Sequence, residues 1–186
     1  MKKFELTSET KINIFGKKLF RIKALISFAD VEAGETGGWV EKEENVNQSG
    51  DAWVSGNAEV YGNAEVYGNA KVYGNAKVSG NAEVYGDAKV YGNAKVSGNA
   101  WVSGDAKVSG NAWVSGDADY TTIHGFGTQF RTTTFFRCKD KKVRVACGCF
   151  FGTIPEFREQ VKNTRKGKIA EEYLMIADLM EKHFEK

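Results

Sequence analysis

The sequence predicts a mainly β protein in which short parallel strands wind around a triangular core. Alanine recurs at every sixth residue from Ala52 to Ala118, twelve times in all. Valine follows the alanine by two residues at eleven of these positions, the last being Val114, and Tyr120 takes the twelfth. Glycine follows each valine by two residues and precedes Asn or Asp, so the repeating unit is A-x-V-x-G-[N/D].

The unit combines a short strand with a turn. Alanine and valine two residues apart point to one side of a strand, and the residue after each of them points to the other side. Glycine followed by Asn or Asp tolerates the positive φ angles of a turn. Strands this short bury almost nothing in a hairpin meander. We therefore expect three strands in each coil and about four coils stacked on one another.

This pattern resembles the unit of the hexapeptide-repeat, left-handed parallel β-helices, over residues 52–121. The resemblance implies left-handed coiling, although crossover connections between parallel strands are usually right-handed. It also implies a homotrimer, because hexapeptide-repeat proteins are usually trimers. The flanking segments 19–54 and 127–157 resemble small β-helix proteins carried by phages and prophages, which implies a phage origin.

We divide the chain into three parts. Residues 1–50 form an N-terminal β cap, in which Trp39 and Val40 imitate one repeat unit but lie two residues out of phase with the units that follow. Residues 51–121 form the left-handed β-helix, and residues 122–186 form a C-terminal α+β module. A cap of this kind covers the core and the strand edges that the end of a solenoid exposes.

The C-terminal module begins with a predicted hairpin around Lys139–Lys142. Thr153 and Glu156 form a capping box with a proline early in the helix, which predicts a first helix to about Asn163. A second helix begins near Lys168, and its apolar face packs on the hairpin or on another subunit. The residues of that face are Ile169, Tyr173, Ile176, Ala177, Met180 and Phe184.

The composition limits the expected partners. The 26 basic and 24 acidic side chains leave a net charge of +2, so no nucleic-acid polymer is expected and attraction to an anion must come from local arrangement. No apolar stretch approaches the roughly 20 residues of a membrane span, so no membrane partner is expected. The start of the sequence lacks the features of a signal peptide, and we expect the protein in the cytoplasm of a bacterial host.

Sorting the outward residues by coil gives three different surfaces, because residues 18 apart should lie above one another on parallel strands. The basic wall comprises Trp53, Lys71, Lys89 and Lys107, accompanied by Ser55, Tyr73, Tyr91 and Ser109. The mixed wall comprises Glu59, Lys77, Lys95 and Trp113, accompanied by Tyr61, Ser79, Ser97 and Ser115. The acidic wall comprises Glu65, Glu83, Trp101 and Asp119, accompanied by Tyr67, Tyr85, Ser103 and Thr121.

Three interpretations of the basic wall are open. A column of lysines on neighbouring strands is unfavourable, and the acidic wall of another subunit offsets it in a head-to-tail homotrimer. In the second interpretation, a small anionic ligand compensates the lysines. The aromatic side chains beside them then offer a stacking surface for a base that carries a phosphate. In the third interpretation, the lysines extend into solvent and serve solubility alone. The candidate ligand-binding residues of this wall are Trp53, Lys71, Tyr73, Lys89, Tyr91 and Lys107.

The segment GFGTQFRTTTFFR, residues 125–137, is another candidate for anion binding. Its glycines, hydroxyl groups and arginines are suited to an anion, although threonine and phenylalanine are also the usual content of a strand. No phosphate-loop spacing is present. The candidate residues here are Arg131, Thr132, Thr133 and Arg137.

Neither a metal site nor a cofactor is expected. Cys138, Cys147 and Cys149, considered together with His124 and His183, lack the paired spacing of zinc ligands, and reduced thiols are the simpler expectation.

Catalysis is not expected either. Acyltransferases and carbonic anhydrases built on the hexapeptide fold use histidines at subunit interfaces, whereas residues 1–123 contain no histidine. Acyltransferases also carry a substrate loop, but no loop interrupts the repeats from Ala52 to Ala118. An acyltransferase-like enzyme is therefore the least favoured alternative.

These observations predict a non-catalytic binding protein derived from a phage. Its expected role is anti-defence: sequestering a small anionic ligand, such as a nucleotide signal of host immunity. The alternative is a protein-interaction or scaffolding module that inhibits a host protein.

Overall fold

The computed structural model describes residues 2–185. The chain begins with β1 (Phe4–Ile12), β2 (Lys18–Ala24) and β3 (Thr36–Val40), followed by a 3₁₀ turn at Glu43–Asn45. Short strands then follow at intervals of six residues. They are β4 (Trp53–Val54), β5 (Glu59–Val60), β6 (Glu65–Val66), β7 (Lys71–Val72), β8 (Lys77–Val78), β9 (Glu83–Val84), β10 (Lys89–Val90), β11 (Lys95–Val96), β12 (Trp101–Val102), β13 (Lys107–Val108) and β14 (Trp113–Val114).

These strands stack in parallel into a β-solenoid of about four turns within the described residues, which confirms the predicted mainly β architecture. The basic wall is the sheet β4-β7-β10-β13 and the acidic wall is β6-β9-β12. The mixed wall is β5-β8-β11-β14 and continues through β3 into β2 and β1. Side chains pair at the predicted interval, for example Lys71 with Lys89 and Lys89 with Lys107.

The interior of the solenoid is filled by the repeated alanines and valines. Every repeat valine from Val54 to Val114 is fully buried. The turn glycines from Gly56 to Gly110 have positive φ angles, and a Cβ atom on Gly80 would lie 2.9 Å from the backbone nitrogen of Gly98. The repeat therefore specifies both a small-residue core and corners in which successive backbones approach closely.

Successive coils of the solenoid are joined by backbone hydrogen bonds. The N–H group of Trp53 donates to the carbonyl oxygen of Ala70 at 3.0 Å, and Lys71 donates to Ala88 in the same way at 2.9 Å. Some carbonyl groups of the first coil, such as that of Ala52, have no earlier coil to donate to them, and some N–H groups of the last coil, such as that of Ser115, have no later coil to accept from them. Each end of the stack therefore needs partners for its backbone groups.

At the N-terminal end, side chains supply donors to the carbonyls of the first coil. Lys3 donates to the carbonyl oxygen of Ala52 at 2.8 Å, and the buried side chain of Asn45 donates to that of Ala64 at 2.8 Å. Arg21 donates to Gly56 at 3.2 Å. The segment predicted as a cap thus satisfies the backbone of the first coil.

Strand β3 joins the mixed wall directly, because Trp39 pairs in parallel with Glu59. Val46 likewise forms a parallel bridge with Val66. The partners in both pairs are 20 residues apart, whereas Trp53 and its partner Lys71 are 18 apart. The two extra residues therefore lie in the corner between Val46 and Trp53. This corner accounts for the phase difference in the sequence.

At the C-terminal end, side chains supply acceptors to the last coil. The N–H of Trp101 donates to Asp117 at 3.0 Å, and the N–H of Ser115 donates to Asp119 at 3.0 Å. Asp119 therefore belongs to a 3₁₀ turn (Asp117–Asp119) and is not stacked on Trp101, contrary to its predicted place on the acidic wall. Its companion Thr121 lies in β15. The repeat pattern ends here because the chain must cap the stack.

The C-terminal module is an antiparallel sheet in the order β15-β16-β17-β18, followed by two helices. The predicted hairpin around Lys139–Lys142 is confirmed by the pairing of β16 with β17. The predicted capping box of Thr153 and Glu156 opens the first helix. The elements are β15 (Tyr120–Phe126), β16 (Arg131–Arg137), β17 (Val143–Cys147), β18 (Phe150–Thr153), α1 (Ile154–Thr164) and α2 (Gly167–Phe184).

The helices of this module pack on one face of its sheet. Phe135 of β16 lies edge-on to Phe157 of α1 at 6.2 Å, and Tyr173 of α2 lies edge-on to Phe157 at 5.8 Å. Phe136 points the other way and joins the solenoid core. In the part of the chain that the structure describes, no helix is long and apolar enough to cross a membrane.

Candidate functional site

The basic wall places three lysines in one column. Lys71, Lys89 and Lys107 occupy equivalent positions on β7, β10 and β13, on strands about 4.8 Å apart. Lys89 is exposed, and the other two are half-buried. Because like charges on neighbouring strands repel, this column is held at an electrostatic cost.

The chain itself neutralises the lower end of the column. Asp30, in the loop after β2, forms an ion pair with Lys71. The hydrogen bond from Lys71 holds the pKa of the Asp30 carboxyl below its ordinary value. Among residues 2–185, no carboxylate lies within ion-pair distance of the ammonium group of Lys89 or Lys107. The uncompensated charge is therefore at the upper end of the wall.

Trp53 is not available as a stacking surface, contrary to the sequence-based prediction. Its side chain is only 4% exposed and lies edge-on to Phe4 at 6.2 Å and to Phe28 at 5.5 Å. The loop that carries Asp30 covers it. Beside this loop is a cleft of about 310 Å³ that includes the carboxylates of Asp30 and Glu35, which makes the lower end poorly suited to an anion.

The tyrosines of the basic wall form a stacked pair. The rings of Tyr73 and Tyr91 are parallel within 1°, with centroids 4.9 Å apart. Burial raises the pKa of the Tyr73 hydroxyl, and the neighbouring Tyr91 raises it further, so this hydroxyl stays neutral at physiological pH. The pair is a rigid aromatic surface adjacent to Lys89.

The upper end of the wall opens into a groove of about 500 Å³ against the C-terminal module. Two predicted sites meet here, because Lys107 of the solenoid and both Arg131 and Thr132 of β16 line this groove. The N–H group of Lys107 donates to the hydroxyl of Thr134 at 3.0 Å, which fixes β13 against β16. We call this feature the upper groove. Its lining residues are Asp105, Lys107, His124, Phe130, Arg131, Thr132, Gly148 and Cys149.

A small polar network lies in the upper groove. The hydroxyl of Thr132 donates to Asp105 at 3.3 Å and lies 3.0 Å from Nδ1 of His124. Neither Asp105 nor His124 stands in a sequence pattern that indicates a site for an anionic ligand. His124 directly follows Ile123, which pairs with Thr133 in the β15–β16 hairpin, so predicting this hairpin would have placed His124 near Thr132.

Two predicted ligand residues have structural roles instead. The hydroxyl of Thr133 is buried and donates to the sulfur of Cys147 at 3.1 Å. Arg137 donates to the carbonyl oxygen of Phe184 at 2.7 Å, stacks over the ring of that residue and pairs with Asp119 at 3.4 Å. These contacts hold α2 and the 3₁₀ turn against β16. Alternation along the strand explains the result, because Thr133 faces away from Thr132.

The other two walls carry different arrangements. On the mixed wall, Glu59 lies between Lys11 and Lys77, at 2.8 Å from each ammonium group. On the acidic wall, Tyr67 donates to Glu83 at 2.6 Å, whereas Glu65 is exposed. Burial, followed by this bond to Glu83, raises the pKa of the Tyr67 hydroxyl. Glu59 of the mixed wall is thus compensated within the chain, and the acidic wall keeps exposed negative charge.

The cysteines do not assemble a metal centre in the described residues, where no group of three or more His, Cys, Asp or Glu side chains is arranged to hold a metal ion. Cys138 is buried, and burial raises the pKa of its thiol to about 11. That thiol is therefore protonated and unreactive at physiological pH.

Comparison with known proteins agrees with the solenoid architecture. The model of the YdcK beta solenoid repeat matches residues 88–104, which include β10, β11 and β12. The chain is similar to that repeat over this segment. No curated protein matches the chain.

Proposed function

We propose that this chain is a non-catalytic binding protein of phage or prophage origin that sequesters a small anionic ligand in the cytoplasm of a bacterial host. The ligand class is a nucleotide of the kind that signals infection in host immunity. The observation that carries the proposal is the upper groove, where Lys107 and Arg131 come from different modules to line one opening. Folding places the side chains of Lys107 and Arg131 at the upper end of the basic wall, where Lys107 has no ion-pair partner within residues 2–185.

The chemistry of the upper groove is suited to a phosphate group. Arg131 offers a planar fork of donors for two phosphate oxygens, and Lys107 offers a point charge. The carboxylate of Asp105 accepts a hydrogen bond from Thr132, which reduces its repulsion of an anion. One coil below, Lys89 and the ring of Tyr91 provide charge and stacking surface for the remainder of a nucleotide.

A homotrimer is part of the proposal. Lys89 on the basic wall and Glu65 on the acidic wall are both exposed, and neither forms an ion pair within residues 2–185. Head-to-tail packing would place the acidic wall of one copy beside the basic wall of the next and close after three copies. The resemblance to left-handed hexapeptide-repeat proteins supports the same arrangement.

Calorimetric titration against cyclic dinucleotides and ADP-ribose-type nucleotides tests the function. We expect one class to bind at micromolar concentration or tighter, with affinity that falls as salt concentration rises. Lys107→Gln and Arg131→Gln should each weaken binding by at least about tenfold, because each removes a charged hydrogen bond. Lys95→Gln, on the mixed wall, is the matched control and should bind like the wild type. Absence of binding across the panel would falsify the proposed function.

Lys89→Glu separates assembly from ligand binding. Loss of the trimer in sedimentation experiments with ligand binding retained would assign Lys89 to subunit pairing. An intact trimer with lost binding would assign it to the ligand.

A protein-interaction module is the second candidate, favoured by exposed tryptophans on the solenoid surface. Trp101 is 52% exposed and Trp113 is 45% exposed, and tryptophan is among the residues enriched at protein interfaces. This function predicts capture of one host protein without small-molecule binding. Substituting both tryptophans by alanine should abolish that capture and leave nucleotide titrations unchanged.

A further inference from the structure

A second cavity, separate from the upper groove, lies inside the C-terminal module. It has a volume of about 100 Å³ and is enclosed by the β15–β16 loop, the turn between β17 and β18, and the C-terminal part of α1. We call it the module pocket. Its polar lining residues include Thr128, Gln129, Arg131, Gln160, Arg165 and Tyr173.

The charge of the module pocket is positive without an internal counter-ion. Arg131 and Arg165 both line it, and no aspartate or glutamate among the described residues does so. Neither guanidinium group forms an ion pair within residues 2–185. Arg165 uses one donor on the carbonyl oxygen of Thr164 at 3.1 Å, which leaves further donors for a ligand.

The guanidinium groups of Arg131 and Arg165 both act electrostatically on the hydroxyl of Tyr173, which also lines the pocket. Burial raises the pKa of the Tyr173 hydroxyl, and the positive charges of Arg165 and Arg131 oppose that rise. The hydroxyl itself donates to the carbonyl oxygen of Phe126 at 3.2 Å. Gly127 keeps the space open, since a Cβ atom there would lie 2.5 Å from the hydroxyl oxygen.

Size and electrostatics restrict what this pocket can hold. Sites for organic ligands usually have volumes of about 300–1,000 Å³, so a cavity of about 100 Å³ has room for an ion but none for a nucleoside. The C-terminal end of α1 contributes about half a negative charge, which is less than the two positive charges of the arginines. The amide and hydroxyl groups of Gln129, Gln160 and Thr128 supply neutral hydrogen-bond donors around them.

We infer that the module pocket binds a compact oxyanion of the size and shape of inorganic phosphate. This site goes beyond the proposed function, because it lies off the solenoid and depends on Arg165, which does not line the upper groove. Arg131 lines both cavities, so an anion in the pocket draws its guanidinium away from the groove. Phosphate should therefore compete weakly with a ligand of the upper groove.

Inorganic phosphate is the probe for the test. Thermal unfolding and calorimetry of the full chain are followed while phosphate replaces chloride at constant ionic strength. We expect phosphate to raise the unfolding midpoint of the wild type in a saturable manner. Arg165→Gln should weaken phosphate binding by at least about tenfold, because it removes one of the two charges. Lys166→Gln, an exposed neighbour outside the pocket, is the matched control and should behave like the wild type.

Further variants keep the test decisive. Gln160→Glu adds a carboxylate to the lining and should also abolish the rise of the unfolding midpoint with phosphate. If Arg165→Gln fails to fold, Gln160→Glu still tests the site. Lys107→Gln alters the upper groove alone and should leave the phosphate binding that depends on Arg165 intact. Phosphate binding that depends on Lys107 and not on Arg165 would place the ion in the upper groove and overturn the inference. An equal effect of chloride would overturn it too. Phosphate binding with no nucleotide binding would support this site while rejecting the proposed function.

Discussion

The ammonium group of Lys3 donates a hydrogen bond of 2.8 Å to the carbonyl oxygen of Ala52, at the end of the solenoid where carbonyl groups lack backbone partners. It also donates to Gly50 at 3.2 Å. Lys3 is only 2% exposed, so a cation is buried against carbonyl oxygens of the first coil. Burial lowers the pKa of this ammonium from 10.5 to about 8, although the negative charge of Asp51 acts to raise it.

The buried position of Lys3 predicts a characteristic pH dependence of stability. Between pH 8 and pH 10.5, the unfolded chain retains the Lys3 proton while the folded chain releases it. Its contribution to the free energy of unfolding therefore rises with pH across this window. Urea unfolding of the wild type and of Lys3→Met, measured from pH 7 to pH 10, should show a difference that grows in favour of the wild type above pH 8.

The difference in free energy of unfolding between the wild type and Lys3→Met cancels the contributions of other groups that titrate in the same range, such as the thiol of Cys138. Lys23→Met, at an exposed position of β2, is the matched control and should differ from the wild type by a constant amount. A constant difference for Lys3→Met as well would contradict the role assigned to burial.

Asn45 should be more important for stability than the asparagines of the repeat. Its buried amide donates to the carbonyl oxygens of Ala64 at 2.8 Å and Gly62 at 3.2 Å. Asn45→Ala leaves both carbonyls without that donor and should lower the free energy of unfolding by about 1–3 kcal/mol. Asn57→Ala removes an exposed side chain and should change it by about 0.5 kcal/mol or less. Equal losses in urea unfolding would show that the first coil does not need this donor.

The turn glycines offer a direct test of close backbone packing. Gly80 and Gly104 both have positive φ angles, so alanine at either position should cost about 1–2 kcal/mol of backbone strain. A Cβ atom on Gly80 would lie 2.9 Å from the backbone of Gly98, whereas one on Gly104 meets no atom within 4 Å. Gly80→Ala should therefore lose about 1–3 kcal/mol more than Gly104→Ala. Similar midpoints of thermal unfolding for the two variants would rule out this packing effect.

The repeat made most of the solenoid predictable from local information. A unit of six residues with alanine and valine at fixed places leaves one arrangement of inward and outward side chains. The pairing of Lys71 with Lys89 followed from counting alone. The second helix was also predictable, because Tyr173, Ile176 and Met180 share one face and are buried as expected.

The remaining features depend on contacts between segments that are distant in the sequence. No local pattern shows that the loop after β2 folds over Trp53 and sends Asp30 to Lys71. The meeting of Lys107 and Arg131 likewise depends on how β16 docks on the last coil. The repeat pattern alone predicts Asp119 on the acidic wall, whereas the N–H group of Ser115 in the last coil takes its carboxylate as an acceptor.

Stacked positions are 18 residues apart, so the number of residues in the solenoid determines on which wall each later side chain lies. Excising residues 69–86 would remove one full coil and leave every later side chain on its own wall. Excising residues 69–74 alone would turn everything after them by a third of a revolution and carry Lys107 onto the wall that begins with Glu65. Such a chain would keep a sound core and lose the alignment of its charged faces. Growth or shortening of this protein without loss of its surface pattern is therefore possible only in whole coils.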